Sequence, residues 1–251
     1  MDVAAYLGRL GVELGGRGPD QLRALHAAQL YAVPFENLSV HNGEGVSLDS
    51  AALFDKIVTR RRGGFCYELN GLFAELLETL GYPVARCAAR VWTGDGFTGP
   101  LDHLALIVET PQPWLVDVGF GAHALYPLPL RFDVDQPDPG GVFRLVETLP
   151  GFVDVFKDGT CEYRLDRTPR PLSDFEMGAW WHSTSPNSHF GRGLLCTLPN
   201  RRGRTTISDD LLIETADGVR TERRVSPAAP PALYFERFGI APDALPVVAR
   251  V

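Results

Sequence analysis

The segment RGGFCYELN, from Arg62 to Asn70, constrains this chain most strongly because it joins a glycine turn directly to the start of a helix. Two adjacent glycines are typical of a tight turn. From Cys66 onward, apolar residues recur at the spacing of one helix face, and Gly81 and Pro83 then supply a stop signal. The pattern predicts a helix that begins at Cys66.

A cysteine in the first turn of a helix is well placed to react. Cys66 is expected to lie beside unpaired backbone N–H groups and the positive end of the helix dipole, and both favour thiolate over thiol. Glu36 and Arg62 are predicted to form a structural ion pair that braces the turn, since a buried arginine favours a carboxylate partner. A thiolate nucleophile also needs a base and an orienting acid.

Two apolar segments supply these partners. LDHLALIV and WLVDVG have the composition of buried strands, and the turn-rich ETPQP separates them. A hairpin centred on Thr110 sets His103 directly opposite Asp117, and opposed residues have Cβ atoms about 4.5–5.5 Å apart. Cys66, His103 and Asp117 are therefore the predicted catalytic residues. A core histidine and a strand-end aspartate are the alternative interpretation.

Composition narrows the class of protein. The formal net charge of −7 argues against a nucleic-acid-binding surface. No apolar run approaches the ~18–20 residues needed to span a membrane. The N-terminal MDVAA lacks the basic and apolar regions of a signal peptide. We therefore expect a cytoplasmic protein that binds neither nucleic acid nor membrane.

The four cysteines do not form a metal or disulfide pattern. They are scattered, without a CxxC pair and without histidines at metal-ligand spacing. The sequence therefore predicts one reactive and three structural thiols, no disulfide scaffold and no metal.

The chain divides into three sections without a linker between them. Residues 1–82 are predicted to be mostly helical and carry the nucleophile, residues 83–169 are strand-rich and carry the histidine and the aspartate, and residues 170–251 are mixed. Asp20 and Ser173 are predicted to cap helices, the latter as part of a capping box. This order predicts one compact α+β unit with subdomains.

Four motifs in this order resemble the arylamine N-acetyltransferase family, over nearly the whole chain. They are VPFENL at 33–38, RGGFCYELN at 62–70, His103 followed by VDVGFG at 116–121, and STSPNSHF at 183–190.

The resemblance implies a fold and an activity. The fold is a helical N-terminal subdomain, a central antiparallel β-barrel and a C-terminal α/β lid, around a thiol-proteinase-like catalytic core. The activity is acetyl transfer from acetyl-CoA to arylamines, arylhydrazines or arylhydroxylamines. The residue types suit this chemistry, because a cysteine nucleophile can carry the acetyl group between two half-reactions in a ping-pong mechanism.

Some binding residues are also predicted. The resemblance implies that Phe35 and Phe190 line an aromatic acceptor pocket. Thr98 and Gly99, just before His103, are candidates for backbone contacts with the phosphates or pantetheine of coenzyme A, with an ordinary turn as the alternative.

Three other functions fit part of the sequence. A cysteine peptidase uses the same three residue types. The papain pattern, however, separates cysteine and histidine by ~130–150 residues, which is much more than the separation of Cys66 and His103 in this chain. An amide synthase of the same family, which closes a polyketide macrolactam, keeps Cys66, His103 and Asp117 but requires a long apolar channel. A non-catalytic binding protein with a vestigial site belongs to a third class.

Overall fold

The N-terminal part of the molecule is helical. The computed structural model describes residues 1–225 and 231–245. The elements of this part are α1 (Val3–Leu10), α2 (Pro19–Ala32), β1 (Phe35–Glu36), α3 (Leu38–Asn42), α4 (Ser50–Phe54), a π-helical turn (Asp55–Thr59) and α5 (Cys66–Thr79). The predicted Asp20 cap is wrong, because Pro19 occupies the first helical position and Gly18 precedes it as the N-cap.

Helix α5 begins at Cys66 and lies at the centre of the fold. The Glu68 carboxylate accepts a hydrogen bond of 3.2 Å from the backbone N–H of Phe65, which satisfies one donor at the helix start. Gly81, with φ of +84°, follows the helix in the left-handed region. The predicted start and stop of this helix are confirmed. Most of its side chains are buried, so it packs against neighbours on more than one face.

The middle of the chain forms an antiparallel sheet of eight strands that curls towards a barrel. Its strands are β2 (Val84–Val91), β3 (His103–Thr110), β4 (Gln112–Val116), β5 (Leu128–Pro129), β6 (Asp135–Asp138), β7 (Gly141–Leu149), β8 (Phe152–Lys157) and β9 (Thr160–Pro169). Their order in the sheet is β5-β4-β3-β2-β9-β8-β7-β6. Alternate apolar side chains fill its interior, among them Ala105, Ile107, Phe143, Val155 and Leu165. Helix α5 packs on β3 and β2.

The C-terminal part combines a second sheet with two helices. Its elements are α6 (Glu176–Thr184), β10 (Leu195–Asn200), β11 (Gly203–Ser208), β12 (Leu211–Ala216), β13 (Val219–Arg224) and α7 (Pro231–Phe238). Strand β1 joins this sheet, since Phe35 pairs with Thr197, and so ties the first part to the last. The predicted α+β fold class is confirmed.

The predicted capping box at Ser173 is wrong. A 3₁₀ turn (Leu172–Phe175) leads directly into α6, so Ser173 lies inside the helical turn, and the N-cap position of α6 falls on Phe175 without a side-chain cap. Among the described residues, no helix is long and apolar enough to cross a membrane.

The hairpin β3–β4 has a different register from the predicted one. Leu106 pairs with Val116, so the turn is centred on Pro111 rather than Thr110, and Asp117 lies just past the end of β4. His103 is therefore not directly opposite Asp117. Because side chains alternate with a period of two, this shift by two positions leaves both side chains on the same face. The predicted face is right and the predicted register is wrong.

Candidate active site

The side chains of Cys66, His103 and Asp117 meet at the junction of α5 with the hairpin. The Nε2 atom of His103 lies 2.7 Å from Oδ2 of Asp117, and Cys66 lines the same cavity as His103 and interacts electrostatically with its imidazole. All three residues are at most 4% exposed. The structure thus brings together the three residues that the sequence predicts as nucleophile, base and acid.

The electrostatics of this cluster favour a charged imidazole. Burial disfavours the imidazolium, but the carboxylate of Asp117 and the thiol of Cys66 outweigh it and raise the pKa of His103 to about 10. Burial likewise disfavours the carboxylate, yet His103 and the amide of Asn70 hold the pKa of Asp117 below its ordinary value. The pair therefore persists as imidazolium and carboxylate at neutral pH.

Asn70 orients the acid and was not predicted as part of the site. Its Nδ2 donates hydrogen bonds to Oδ1 of Asp117 at 2.9 Å and to the carbonyl of Leu104 at 2.6 Å. Its Oδ1 accepts from the backbone N–H of Val118 at 3.0 Å. Asn70 lies one helical turn after Cys66, so its spacing of four residues was the available signal. It couples helix α5, which begins at Cys66, to the end of β4, which Asp117 follows.

Gly119 permits the close approach of these elements. A Cβ atom at this position would lie 2.7 Å from Cα of Cys66 and 2.6 Å from Nδ2 of Asn70. Any side chain there would push the loop after β4 away from α5. The absence of a Cβ at Gly119 therefore allows Asp117 to reach His103.

A buried ion pair braces the turn before Cys66, as predicted. The guanidinium of Arg62 donates to Glu36 through Nε at 2.9 Å and Nη2 at 3.2 Å, and both side chains are fully buried. Glu36 also accepts from the backbone N–H of Gly63. Gly63 has no room for a side chain, since a Cβ there would lie 1.9 Å from the carbonyl oxygen of Pro34. The turn is thus fixed by charge and by close packing.

We expect Glu36→Gln to lower the free energy of unfolding by about 3–5 kcal/mol, because it leaves the buried Arg62 without its main counter-charge. Chemical denaturation of the purified variant measures this change. The matched control is Glu222→Gln, which breaks the exposed pair with Arg220 and should leave stability nearly unchanged. Equal effects of the two substitutions would contradict a bracing role for Glu36.

Cys66 opens into a cavity of about 460 Å³. Its apolar wall consists of Phe35, Val91, Phe120, Phe190 and Leu195, and its polar groups include Thr98, Asp102, His103, His182 and His189.

Three of the four predicted binding residues line this cavity, and the fourth does not. Phe35, Phe190 and Thr98 line the cavity, and the rings of Phe35 and Phe190 lie 6.0 Å apart. Gly99 is exposed and lies outside the lining. The polar pair of Asp102 and His182 was missed. The position of Asp102 next to His103 was the available signal.

The described residues contain no group of three histidine, cysteine, aspartate or glutamate side chains that could hold a metal ion. All four cysteines are free. A cysteine thiol beside a histidine that is paired with an aspartate is an arrangement that can support nucleophilic acyl transfer.

Comparison with known proteins shows the family of this chain. Residues 20–245 match the family model described as N-acetyltransferase. An arylamine N-acetyltransferase of Mycobacterium bovis is 37% identical over an alignment of 254 residues, gaps included. The alignment covers 96% of this chain and 89% of the relative. The chain belongs to the arylamine N-acetyltransferase family. It is accordingly an acyltransferase.

Solved structures of this family share the fold. The arylamine N-acetyltransferase of M. smegmatis superposes with a TM-score of 0.89 at 34% identity, covering 96% of this chain and 92% of that one. The Mycobacterium marinum arylamine N-acetyltransferase in complex with CoA gives a TM-score of 0.88 at 34% identity, covering 95% and 93%. The likeness therefore extends over nearly the whole of each chain.

Proposed function

We propose that this chain transfers the acetyl group of acetyl-CoA to the nitrogen of arylamines, arylhydrazines or arylhydroxylamines through an acetyl-Cys66 intermediate. One observation carries the proposal: the Cys66 thiol and an imidazole held by Asp117 line the same cavity, whose wall is largely aromatic. The CoA complex of the M. marinum relative supports coenzyme A as the donor.

In the first half-reaction, the thiolate of Cys66 attacks the thioester carbonyl of acetyl-CoA. The tetrahedral intermediate collapses, its bond to the coenzyme sulfur breaks, and the imidazolium of His103 protonates the departing thiolate. The backbone N–H of Cys66, at the start of α5, is the proposed donor to the oxyanion. Acetyl-Cys66 and a neutral imidazole remain.

In the second half-reaction, the amine nitrogen attacks acetyl-Cys66. The neutral imidazole of His103 accepts a proton from the amine, the bond to the cysteine sulfur breaks, and the thiolate–imidazolium pair is restored. Asp117 stabilises the imidazolium and fixes its tautomer. The amide product then leaves the cavity.

The test is to incubate the protein with acetyl-CoA and an arylhydrazine and to follow the release of free CoA. Parallel lines in double-reciprocal plots are expected, because the two half-reactions are separated by release of CoA. If Cys66 reacts readily with iodoacetamide but acetyl-CoA does not acylate it, the donor assignment is wrong. That outcome favours the amide synthase with its carrier-bound acyl donor.

The size of the cavity argues for the smaller substrates. A volume of about 460 Å³ lies in the range of small-molecule sites, roughly 300–1,000 Å³. An arylamine fits such a space, whereas a macrolactam precursor requires a longer channel. This observation favours the acetyltransferase over the amide synthase.

Replacing Phe190 by alanine is expected to raise the KM for arylamines about two- to tenfold, because a good aromatic contact contributes about 0.5–1.5 kcal/mol beyond burial. Steady-state kinetics at saturating acetyl-CoA measure this change, and the rate of Cys66 alkylation should stay within twofold. The matched control is Phe235→Ala, since Phe235 on α7 is 61% exposed. An unchanged KM in a folded Phe190→Ala protein would remove Phe190 from the acceptor site.

A further inference from the structure

The cavity contains a second imidazole–carboxylate pair that the mechanism does not use. The Nε2 atom of His182 lies 3.0 Å from Oδ1 of Asp102, and both side chains line the same space as Cys66. The side chain of His182 is 3% exposed and that of Asp102 is 14% exposed. The pair is thus largely buried, with part of the carboxylate open to the cavity.

Both ends of this pair are fixed by hydrogen bonds. The hydroxyl of Tyr67, next to Cys66, lies 2.7 Å from the carbonyl oxygen of Leu101 and 2.9 Å from that of Asp102, so its one proton is shared between them. On α6, Nδ1 of His182 lies 3.3 Å from the hydroxyl oxygen of Ser188. The backbone at Asp102 is therefore held by Tyr67 from the first part of the chain, and its carboxylate is held by His182 from the last part.

The carboxylate has capacity for another partner. Among the described residues that line the cavity, Asp102 carries the one carboxylate. Burial disfavours its charge, but hydrogen bonds from His182 and Thr98 lower the pKa of Asp102, so it is ionised at neutral pH. A carboxylate has about four acceptor positions, and these two bonds leave some free.

The setting makes this group selective. Asp102 is the carboxylate among the described residues that line this cavity. Such an ionised acceptor keeps acceptor positions unpaired when the ligand offers no donor, and it repels a ligand that carries negative charge. Neutral aromatic walls such as Phe120 and Phe190 do not discriminate on this basis.

We propose that Asp102, held by His182, is a specificity-determining residue that accepts a hydrogen bond from a second donor group on the aromatic acceptor and disfavours acceptors that carry a carboxylate. This inference rests on the proposed acetyl transfer and names the class of acceptor that the site prefers. The preferred class is an aromatic amine or hydrazine with an additional N–H or O–H group.

The test compares 4-aminobenzamide with 4-aminobenzoate, together with their 3-amino isomers. Each pair has nearly the same shape but differs in one donor group and one charge. With acetyl-enzyme formed beforehand, the ratio of kcat/KM for amide to carboxylate is expected to be at least about tenfold for one isomer pair, as repulsion between close like charges predicts. In Asp102→Asn this ratio should fall to within about threefold, because the charge is lost while the shape is kept.

The matched control is Asp95→Asn, which removes the same charge from an exposed loop residue outside the lining and should leave the ratio unchanged. The ratio is internal to each protein, so a lower overall rate in a variant does not affect it. If Asp102→Asn does not fold, the wild-type preference and its persistence at high salt still test the idea, since a buried charge is weakly screened.

Two results would overturn the inference: equal use of amide and carboxylate by the wild type, or a preference that Asp102→Asn retains. Failure of the proposed function has a different signature, because acetyl-CoA then forms no acetyl-enzyme with which to begin the comparison. Mass spectrometry of the protein before the acceptor is added separates the two failures.

Discussion

Acetyl-CoA is expected to form a single acetyl adduct on this protein, and replacement of Cys66 by serine is expected to abolish that adduct and to lower kcat/KM by about 10⁴-fold or more, as loss of a nucleophile does elsewhere. The physical reason is that a hydroxyl does not ionise beside an imidazole as a thiol does. Intact-protein mass spectrometry after incubation with acetyl-CoA, without acceptor, measures the adduct directly.

The other cysteines provide the controls. Burial raises the pKa of Cys87 to about 12 and that of Cys161 to about 11, so both stay protonated at neutral pH. Cys87→Ser and Cys161→Ser should therefore keep the adduct. An adduct of undiminished yield on Cys66→Ser would show that another group accepts the acetyl from the coenzyme.

Local signals made the helix that begins at Cys66 predictable. The glycine turn, the helical spacing of apolar residues and the stop at Gly81 all lie within about 20 residues of chain, so α5 could be placed without tertiary information. The Glu36–Arg62 pair was also predictable, because a buried arginine beside a tight turn requires a counter-charge.

For the β3–β4 hairpin, the shared face was predictable but the register was not. Alternation with a period of two determines which side chains share a face, so His103 and Asp117 were correctly placed on the same side. The turn determines which residues oppose each other, and two prolines at 111 and 113 allowed more than one turn. The actual pairing of Thr110 with Gln112 moved every partner by two positions.

Contacts between distant segments could not be predicted from the sequence. Asp102 and His182 are 80 residues apart, and neither has a local pattern that indicates the other. Their meeting depends on how α6 packs over the start of β3, which only the folded chain determines. Short strands such as β5 and β6 have no sequence signal for a related reason, because their pairing partners rather than their own composition create them.

Asp117→Asn is expected to lower the rate of Cys66 acetylation by about 10⁴-fold, the effect known for this substitution in a serine-protease triad. Oδ1 of Asp117 accepts from Asn70 and from the backbone N–H of Gly119, so an asparagine there must keep its oxygen on that side. Its NH₂ group then faces Nε2 of His103. The imidazole proton moves to Nδ1, towards Cys66, and the ring can no longer accept the thiol proton.

The substitution also changes the titration of His103. Burial lowers the pKa of His103, and the Asp117 carboxylate is the main group that raises it. Without this carboxylate, the pKa of His103 should fall well below the value of about 10 in the wild type. A raised folded-state pKa contributes stability that is fully present below the ordinary value of 6.5 and is lost as pH rises towards 10. Between these pH values, the wild type should therefore lose stability relative to Asp117→Asn. NMR titration of the imidazole and denaturation at several pH values measure the two effects.

Asp154→Asn is the matched control for this prediction. Asp154 is also a buried aspartate of the eight-stranded sheet, but it pairs with Arg164 and lies outside the cavity lining. Its substitution should leave acetylation of Cys66 within about twofold, as expected for a site remote from the chemistry. If Asp117→Asn folds and acetylates Cys66 as fast as Asp154→Asn does, then Asp117 does not set the imidazole tautomer. His103 would then need another orienting group to act as the base.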